Sequence, residues 1–203
     1  MLVVKLKPRQ SGIFGYGSLL SIKSMERTFG RPYNGPFVPC TAEGWRRSWD
    51  AAMPNGTYYA DTDEGRMYPE AILYLNVRRD PGSLLNGVLF VVDEEELASF
   101  DRREAIYDRV DSTDLLNGVV EGGSAYIYTC KPEYVLTDVR SPRKAAIRAT
   151  YIQIVEEGLT ALGSEFRKAY DRSSDPVPRQ LVIKDELENT KDTHETGIEL
   201  RFE

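Results

Sequence analysis

The sequence predicts an α+β domain in which a small mixed β-barrel is flanked by helices. Two observations lead to this prediction. Five or six strand-like segments occur in runs between residues 11 and 130, and a sustained helical apolar period begins only near Arg143. Strands grouped in this way do not fit a doubly wound sheet, which needs strands and helices to alternate. A closed or nearly closed barrel is the natural way to cover such a sheet.

Length and composition favour one domain of a cytoplasmic protein. The chain has 203 residues, of which 41% are hydrophobic, and this suits one core better than two. We expect a domain over residues 1–172 and a polar C-terminal extension with short strands over 173–203. Cys40 and Cys130 are the two cysteines, and neither lies in a CxxC pair. The sequence therefore predicts neither a disulfide framework nor a zinc site, which fits a reducing cytoplasm.

Charge and apolar patterning argue against nucleic-acid and membrane partners. The formal net charge is −6, whereas a nucleic-acid surface needs concentrated Lys and Arg. No apolar run approaches the roughly 20 residues needed to span a bilayer. Residues 1–8 lack the long apolar stretch and cleavage site of a signal peptide.

The first part of the chain has clear strand and helix signals. We expect a strand over residues 13–16 that runs into a glycine loop, and a helix capped by Ser21 and ended by Gly30. A further strand is expected around Trp45 and Trp49.

Breaker residues divide the middle of the chain. Strand-like runs at 70–77 and 87–92 are separated by Asp80–Ser83, a stretch with Pro and Gly that predicts a loop. Asp93 then opens a helix, and Glu96 completes a capping box with it.

The last part of the chain predicts strands at 106–111 and 124–130, followed by helices. A helical stripe begins after Arg143, and a shorter helix is expected over 166–170; the stripe comprises Ile147, Tyr151, Ile154, Val155, Leu159 and Leu162. Two late β-like runs follow, at 181–183 and 198–202. The second run alternates cleanly, so it can pair with a sheet edge or with a second copy in a homodimer.

The histidine content restricts the chemistry. His194 is the single histidine, and it lies in a polar stretch near the C-terminus. A Ser-His or Cys-His nucleophile needs a histidine packed beside it, and common transition-metal sites need several His or Cys ligands. If the chain is an enzyme, a carboxylate, Tyr or Lys must therefore move the proton, and a transition-metal site of the common kinds is not expected.

A glycine loop is the first candidate site. Two glycines flank Tyr16 in the segment Phe14–Leu20, so the backbone can turn sharply and approach a ligand. Free N–H groups at a strand-to-helix turn can bind a carboxylate or a developing oxyanion. The alternative is a glycine pair that only allows tight packing. The segment does not match GxGxxG, so a nucleotide site is unsupported.

Glu104 and Tyr151 are the other candidates. Glu104 lies where a helix gives way to a strand, and a carboxylate buried there would have a raised pKa suited to general base and acid catalysis. The alternative is a surface glutamate paired with Arg102 or Arg103. Tyr151 lies on the apolar stripe, where most tyrosines simply pack in the core.

Taken together and in order, these residues resemble the γ-glutamylcyclotransferase-like family, which includes the ChaC enzymes and the AIG2-like proteins. The resemblance covers roughly residues 13–170 and is carried by Tyr16-Gly17-Ser18, Gly87–Val92 with Glu94–Leu97 and Phe100-Asp101, Glu104 within Arg103–Tyr107, and Tyr151 seven residues before Gly158. Leu19 is usual in the ChaC and AIG2-like branches.

The resemblance implies a small barrel with a pocket at its mouth and an intramolecular aminolysis. The α-amine of a γ-glutamyl group attacks its own γ-carbonyl, and 5-oxoproline and an amine are released. Glu104 would be the general base and acid, and the substrate would contact Tyr16, Gly17, Ser18, Leu19 and Tyr151. This requires Glu104 to face the loop across a hollow of amino-acid size.

Two other functions remain open for the same scaffold. One is a non-catalytic module that binds γ-glutamyl groups or carboxylates. The other is the processing of a γ-glutamylated antibiotic or polyamine intermediate, which only substrate screening distinguishes from the first reaction.

Overall fold

The computed structural model describes residues 3–116 and 119–187. The strands of this part are β1 (Val4–Lys5), β2 (Gln10–Gly15), β3 (Phe37–Pro54), β4 (Tyr58–Thr62), β5 (Gly65–Met67), β6 (Ala71–Asp93), β7 (Tyr107–Asp111), β8 (Val120–Glu121), β9 (Ala125–Cys130), β10 (Ala145–Arg148), β11 (Val182–Ile183) and β12 (Glu186–Leu187). Its helices are α1 (Ile22–Phe29), α2 (Glu94–Arg103), α3 (Ala149–Leu162) and α4 (Ser164–Arg172).

A mixed seven-stranded sheet organises the fold. Its strand order is β11-β10-β6-β2-β9-β7, and β3 pairs along β6. The pairs β2–β6, β3–β6 and β7–β9 are antiparallel, whereas β2–β9, β6–β10 and β10–β11 are parallel. The predicted α+β class is therefore confirmed. Closure of this sheet into a barrel stays a prediction.

The predicted caps of the first two long helices are confirmed. The Ser21 hydroxyl accepts a hydrogen bond from the Ser24 N–H, and Gly30 ends α1 in the left-handed conformation, at φ 65°. At α2, Asp93 Oδ1 accepts from the Glu96 N–H at 2.9 Å, and Glu96 Oε2 accepts from the Asp93 N–H at 3.0 Å. These reciprocal bonds fix where α2 begins and so where Glu104, its C-terminal cap, comes to lie.

The predicted loop at Asp80–Ser83 is wrong, because β6 runs through it. Pairing with β3 passes from Glu43 opposite Leu84 to Trp45 opposite Arg79, so residues 80–83 bulge out of the ladder. The Ser83 hydroxyl donates to Asp80 Oδ2 at 2.6 Å within this bulge. A bulge can accommodate Pro81 because its residues need not donate to the partner strand.

The predicted start of the third helix is also wrong. Residues 145–148 form β10, and α3 begins only at Ala149. Ile147 is fully buried and lies opposite Val182 in parallel register. An apolar residue at this position suits either element, and the strand partner that decides lies far along the sequence.

The later segments have mixed outcomes. The β-like run at 181–183 is confirmed as β11, and the helix expected at 166–170 lies within α4. The predicted domain boundary after residue 172 stays a prediction. His194 and the run at 198–202 lie outside the described residues.

Helix α3 packs closely on the turn that follows β2. A Cβ placed on Gly158 would lie 2.5 Å from the Leu20 carbonyl carbon, so only glycine allows this approach. Tyr151 and Leu159 of the same helix belong to the main core together with Leu20. No helix within residues 3–116 and 119–187 is long and apolar enough to cross a membrane.

We predict that Gly158→Ala destabilises the protein. Alanine favours a helix over glycine by about 1 kcal/mol, but the clash with the Leu20 backbone should outweigh this gain. Overpacking of this kind costs about 1–3 kcal/mol, measurable by chemical denaturation. Gly56→Ala is the control, because a Cβ there meets no atom within 4 Å. Equal or greater stability of Gly158→Ala would contradict the close packing.

Candidate active site

All six residues predicted for the site line one hollow in the structure. The lining residues are Tyr16, Gly17, Ser18, Leu19, Glu104 and Tyr151 from the prediction, together with Phe14, Leu75, Tyr107 and Tyr128. They come from the end of β2 and the turn that follows it, the first part of β6, the end of α2, β7, β9 and α3. Segments that are far apart in sequence therefore meet at one point of the sheet.

The hollow is smaller than the sequence-based hypothesis requires. Its volume is about 30 Å³, roughly the share of one molecule in liquid water. The expectation of a cavity of amino-acid size at this position is therefore wrong for this conformation. A ligand as large as a glutamyl group would have to displace side chains that line the hollow.

The glycine loop, which lines the hollow, carries backbone N–H groups that are not used in the described part of the fold. Residues 18–20 form one turn of 3-10 helix, closed by a hydrogen bond from the Leu20 N–H to the Gly17 carbonyl at 3.0 Å. The N–H groups of Gly17, Ser18 and Leu19 have no acceptor among the described residues. Free amides at the start of a helical turn are suited to bind an oxygen that carries negative charge.

Glu104 is held at the junction of α2 and β7. Its N–H donates to the Phe100 carbonyl, and its carbonyl accepts from the Tyr107 N–H, both at 2.8 Å. Only 16% of its side chain is exposed, and Arg103 Nε lies 3.1 Å from Glu104 Oε1. Burial raises the pKa of Glu104, and the Arg103 charge opposes that rise. The glutamate is thus paired, as one interpretation proposed, but it is not a surface residue.

Arg103 connects the carboxylate to the glycine loop. Its Nη2 donates to the hydroxyls of Ser18 and Ser24, each at 3.0 Å, and its Nη1 donates to Thr28 Oγ1 at 2.7 Å. One guanidinium therefore fixes Glu104, the loop and α1 relative to one another. Sequence analysis treated Arg103 only as a competing partner of Glu104, and an Arg beside the candidate carboxylate was the available signal.

Tyr151 approaches the loop from α3. Its hydroxyl accepts a hydrogen bond from the Leu75 N–H at 3.4 Å, and a Cβ on Gly17 would lie 3.0 Å from this oxygen. Its ring makes edge-to-face contacts with Trp49 and Tyr74, at centroid distances of 6.2 and 4.9 Å. The residue both packs in the core and reaches the hollow, so the two interpretations of Tyr151 are compatible.

Tyr16 and Tyr107, two of the tyrosines around the hollow, are neutral hydrogen-bond donors. Tyr16 donates to the Tyr128 carbonyl at 2.7 Å, and Tyr107 donates to the Leu75 carbonyl at 2.8 Å. Burial, followed by nearby charges, raises the pKa of Tyr16 and of Tyr107 well above the usual value. Neither phenol is therefore a base at neutral pH. Sequence analysis missed Tyr107 and Tyr128 as lining residues, although both lie on predicted strands next to glycine turns.

The two cysteines and the metal-ligating types of side chain form no second site in the described part of the chain. Burial raises the pKa of the Cys40 and Cys130 thiols to about 12, so both stay protonated and unreactive at neutral pH. No group of three or more His, Cys, Asp or Glu within residues 3–116 and 119–187 is placed to hold a metal ion. A larger cavity of about 380 Å³ lies between α3, α4 and residues 174–179, but none of the predicted site residues lines it.

Comparison with solved structures identifies the fold. The human uncharacterized protein loc79017 matches with a TM-score of 0.55 and 13% identity over 83% of this chain and 90% of that one. A structure described as gamma-glutamyl cyclotransferase matches with a TM-score of 0.54 and 13% identity over 86% and 94%. YkqA from Bacillus subtilis matches with a TM-score of 0.54 and 18% identity over 80% and 53%. The chain has the γ-glutamylcyclotransferase-like fold.

The sequence itself gives no such match. No family model matches the chain, and no curated protein matches it in sequence. At sequence identities below 20%, these structures show that the fold is shared and do not show which reaction this chain catalyses. The function of this chain must therefore be argued from its own side chains.

We predict that Arg103→Gln raises the pKa of Glu104. The Arg103 cation favours the ionised carboxylate and so lowers this pKa; its removal leaves the effect of burial unopposed. The carboxyl carbon of Glu104, followed by NMR during a pH titration, should then titrate at higher pH than in the wild type. Arg102→Gln is the control, since Arg102 bonds to Ser99 on the exposed side of α2. An unchanged titration in Arg103→Gln would show that this ion pair does not set the pKa.

Proposed function

We propose that the chain is a γ-glutamyl cyclotransferase that releases 5-oxoproline from a γ-glutamyl amine, amino acid or peptide. The observation that carries this proposal is the meeting of Glu104 and the Tyr16–Leu19 loop at one hollow. A largely buried carboxyl group with a raised pKa and a loop with unpaired backbone amides line the same hollow. Intramolecular aminolysis needs a group that moves protons from the attacking nitrogen to the leaving nitrogen, and donors that stabilise the oxyanion. A cytoplasmic location is part of the same proposal.

In the first step, Glu104 acts as a general base. The substrate arrives with an α-ammonium group, which must lose a proton before its nitrogen can attack. The Glu104 carboxylate accepts this proton, and a pKa raised by burial makes the carboxylate a better acceptor than an exposed one. The free amine then lies on the same substrate molecule as its target, so holding the substrate folded supplies much of the rate.

In the second step, the glycine loop binds the developing oxyanion. The amine nitrogen forms a bond to the γ-carbonyl carbon, and the carbonyl oxygen gains negative charge. The N–H groups of Gly17, Ser18 and Leu19 have no other acceptor among the described residues and are suited to bind this oxygen. Buried, neutral Tyr151 lies beside Gly17 and excludes water from that side.

In the third step, Glu104 acts as a general acid. The tetrahedral intermediate collapses, the bond between the γ-carbon and the leaving nitrogen breaks, and the lactam carbonyl reforms. Protonated Glu104 gives its proton to the departing nitrogen, and the carboxylate then accepts the second proton from the ring nitrogen, which becomes the lactam N–H. This second proton passes to the released amine, which leaves as an ammonium ion, so the carboxylate is regenerated and both protons of the α-ammonium group are accounted for. The residues named hold the substrate and shuttle the proton without a covalent intermediate.

Substrate binding requires the hollow to widen. Its volume of about 30 Å³ is too small for a glutamyl group. Tyr16, Tyr128 and Tyr151 are buried, whereas Tyr107 is half-buried and its hydroxyl is tethered to the Leu75 carbonyl. Outward movement of the Tyr107 ring would therefore disturb the core least.

We predict that Glu104→Gln abolishes release of 5-oxoproline. Glutamine keeps the shape of the side chain but cannot accept or return the proton, which should cost about 10²–10⁴-fold in kcat. The measurement is 5-oxoproline formation from a panel of γ-glutamyl amines, amino acids and peptides, with the melting temperature as a check of folding. Glu157→Gln, an exposed position on α3, is the control and should keep wild-type activity.

Two results would contradict the proposal. Wild-type activity of Glu104→Gln would exclude the carboxylate mechanism. Thermal stabilisation of the wild-type protein by γ-glutamyl compounds without any 5-oxoproline would instead favour the non-catalytic binding module. Turnover confined to γ-glutamylated polyamines or antibiotics would identify the remaining alternative.

A further inference from the structure

A buried arginine lies behind the glycine loop. Arg47, in β3, has 0% of its surface exposed, and its guanidinium lies 4.2 Å from the centre of the Tyr170 ring. Within residues 3–116 and 119–187, no carboxylate forms an ion pair with it. Although burial lowers the pKa of Arg47 to about 10, the group stays charged at neutral pH. Burying a cation without a counter-charge is costly unless its hydrogen bonds are satisfied.

Neutral oxygens supply those hydrogen bonds. Arg47 Nε donates to the Tyr16 carbonyl at 2.8 Å. Its Nη1 donates to Ser173 Oγ at 2.8 Å and to Asn86 Oδ1 at 3.2 Å, and its Nη2 donates to the Asn86 carbonyl. The guanidinium thus joins three parts of the chain: the loop, β6 and the residues that follow α4.

The contact with Tyr16 determines how the next amide points. In a trans peptide the carbonyl of one residue and the N–H of the next point in opposite directions. Because the Tyr16 carbonyl points at Arg47, the Gly17 N–H points away from Arg47. A charged donor on the carbonyl also polarises the peptide group and strengthens its N–H as a donor.

We propose that Arg47 is a positioning residue, which fixes and polarises the Tyr16–Gly17 peptide so that the Gly17 N–H can bind the γ-carbonyl oxygen of the substrate. This inference rests on the proposed function and deepens it. Arg47 does not contact the substrate, because its neighbours enclose it completely. It acts through the peptide, and Ser173 and Asn86 hold it in place.

The adjacent Arg46 provides a matched control. Arg46 Nε donates to Asp175 Oδ1 at 2.7 Å, and its Nη2 donates to the Ser174 carbonyl at 2.8 Å. It therefore holds the same segment after α4 as Arg47 does, but it makes no bond to the loop. Loss of Arg46 tests the effect of loosening that segment, whereas loss of Arg47 also removes the loop contact.

The first experiment is independent of activity. In the ¹⁵N–¹H NMR spectrum of the full-length protein, Arg47→Gln should shift the Gly17 amide resonance, because the charged donor on the Tyr16 carbonyl is lost. Arg46→Gln should leave this resonance in place. A Gly17 resonance that is unchanged in folded Arg47→Gln would overturn the proposal, whatever reaction the protein catalyses.

The second experiment measures kinetics with a γ-glutamyl substrate. Arg47→Gln should lower kcat about 10- to 100-fold, as expected for a misplaced catalytic group, and leave KM nearly unchanged. The acid limb of its pH profile should not move, since Glu104 keeps its Arg103 partner. Arg47→Lys, which retains the charge and one donor, should recover part of the rate. Arg46→Gln should keep wild-type kinetics.

A milder variant covers the case in which Arg47→Gln does not fold. Ser173→Ala removes one acceptor of Nη1 and should shift the Gly17 resonance and lower kcat in the same direction by less. If Ser173→Ala changes neither, or if folded Arg47→Gln raises KM with kcat intact, Arg47 has only a structural role. If the wild type releases no 5-oxoproline from any γ-glutamyl compound, the proposed function fails, and the Gly17 resonance still decides whether Arg47 orients the peptide.

Discussion

The site depends on one constraint, the burial of the Glu104 carboxylate beside the Arg103 guanidinium. Burial favours protonated Glu104, and Arg103 favours the ionised form, so the two effects leave a group that can exist in either state. Because Arg103 also bonds to Ser18 and Ser24, the cation that sets this balance also sets the separation of α2 and the glycine loop. The protonation of the site and its geometry are therefore coupled.

Features with a local physical cause could be predicted from the sequence. The caps at Ser21 and Asp93 depend on hydrogen bonds that span three residues, and both were found as predicted. Glu104 was identified as a candidate because it follows the helix that begins at the Asp93 cap. The α+β class followed from the grouping of strand-like segments, and the resemblance placed six residues that line one hollow.

Features that depend on distant partners could not be predicted. Ile147 lies in a strand because Val182 pairs beside it, and residues 80–83 bulge because β3 pairs on both sides of them. In the sequence, Arg46 and Arg47 form a short basic pair, which gives no sign that Arg47 is buried. Alternation along β3 nevertheless puts Arg47 on the same face as buried Trp45. The size of the hollow depends on how four tyrosine rings pack, which no spacing of residues reveals.

The bond between Arg47 and Ser173 also bears on the order in which the molecule assembles. The two residues are 126 positions apart, and the arginine cannot leave water at low cost until its serine acceptor is present. During synthesis, β3 emerges long before the segment that follows α4, so the arginine that contacts the Tyr16 carbonyl lacks its serine acceptor until Ser173 has left the ribosome. The glycine loop therefore gains its full set of buried contacts only after the chain has been synthesised as far as Ser173.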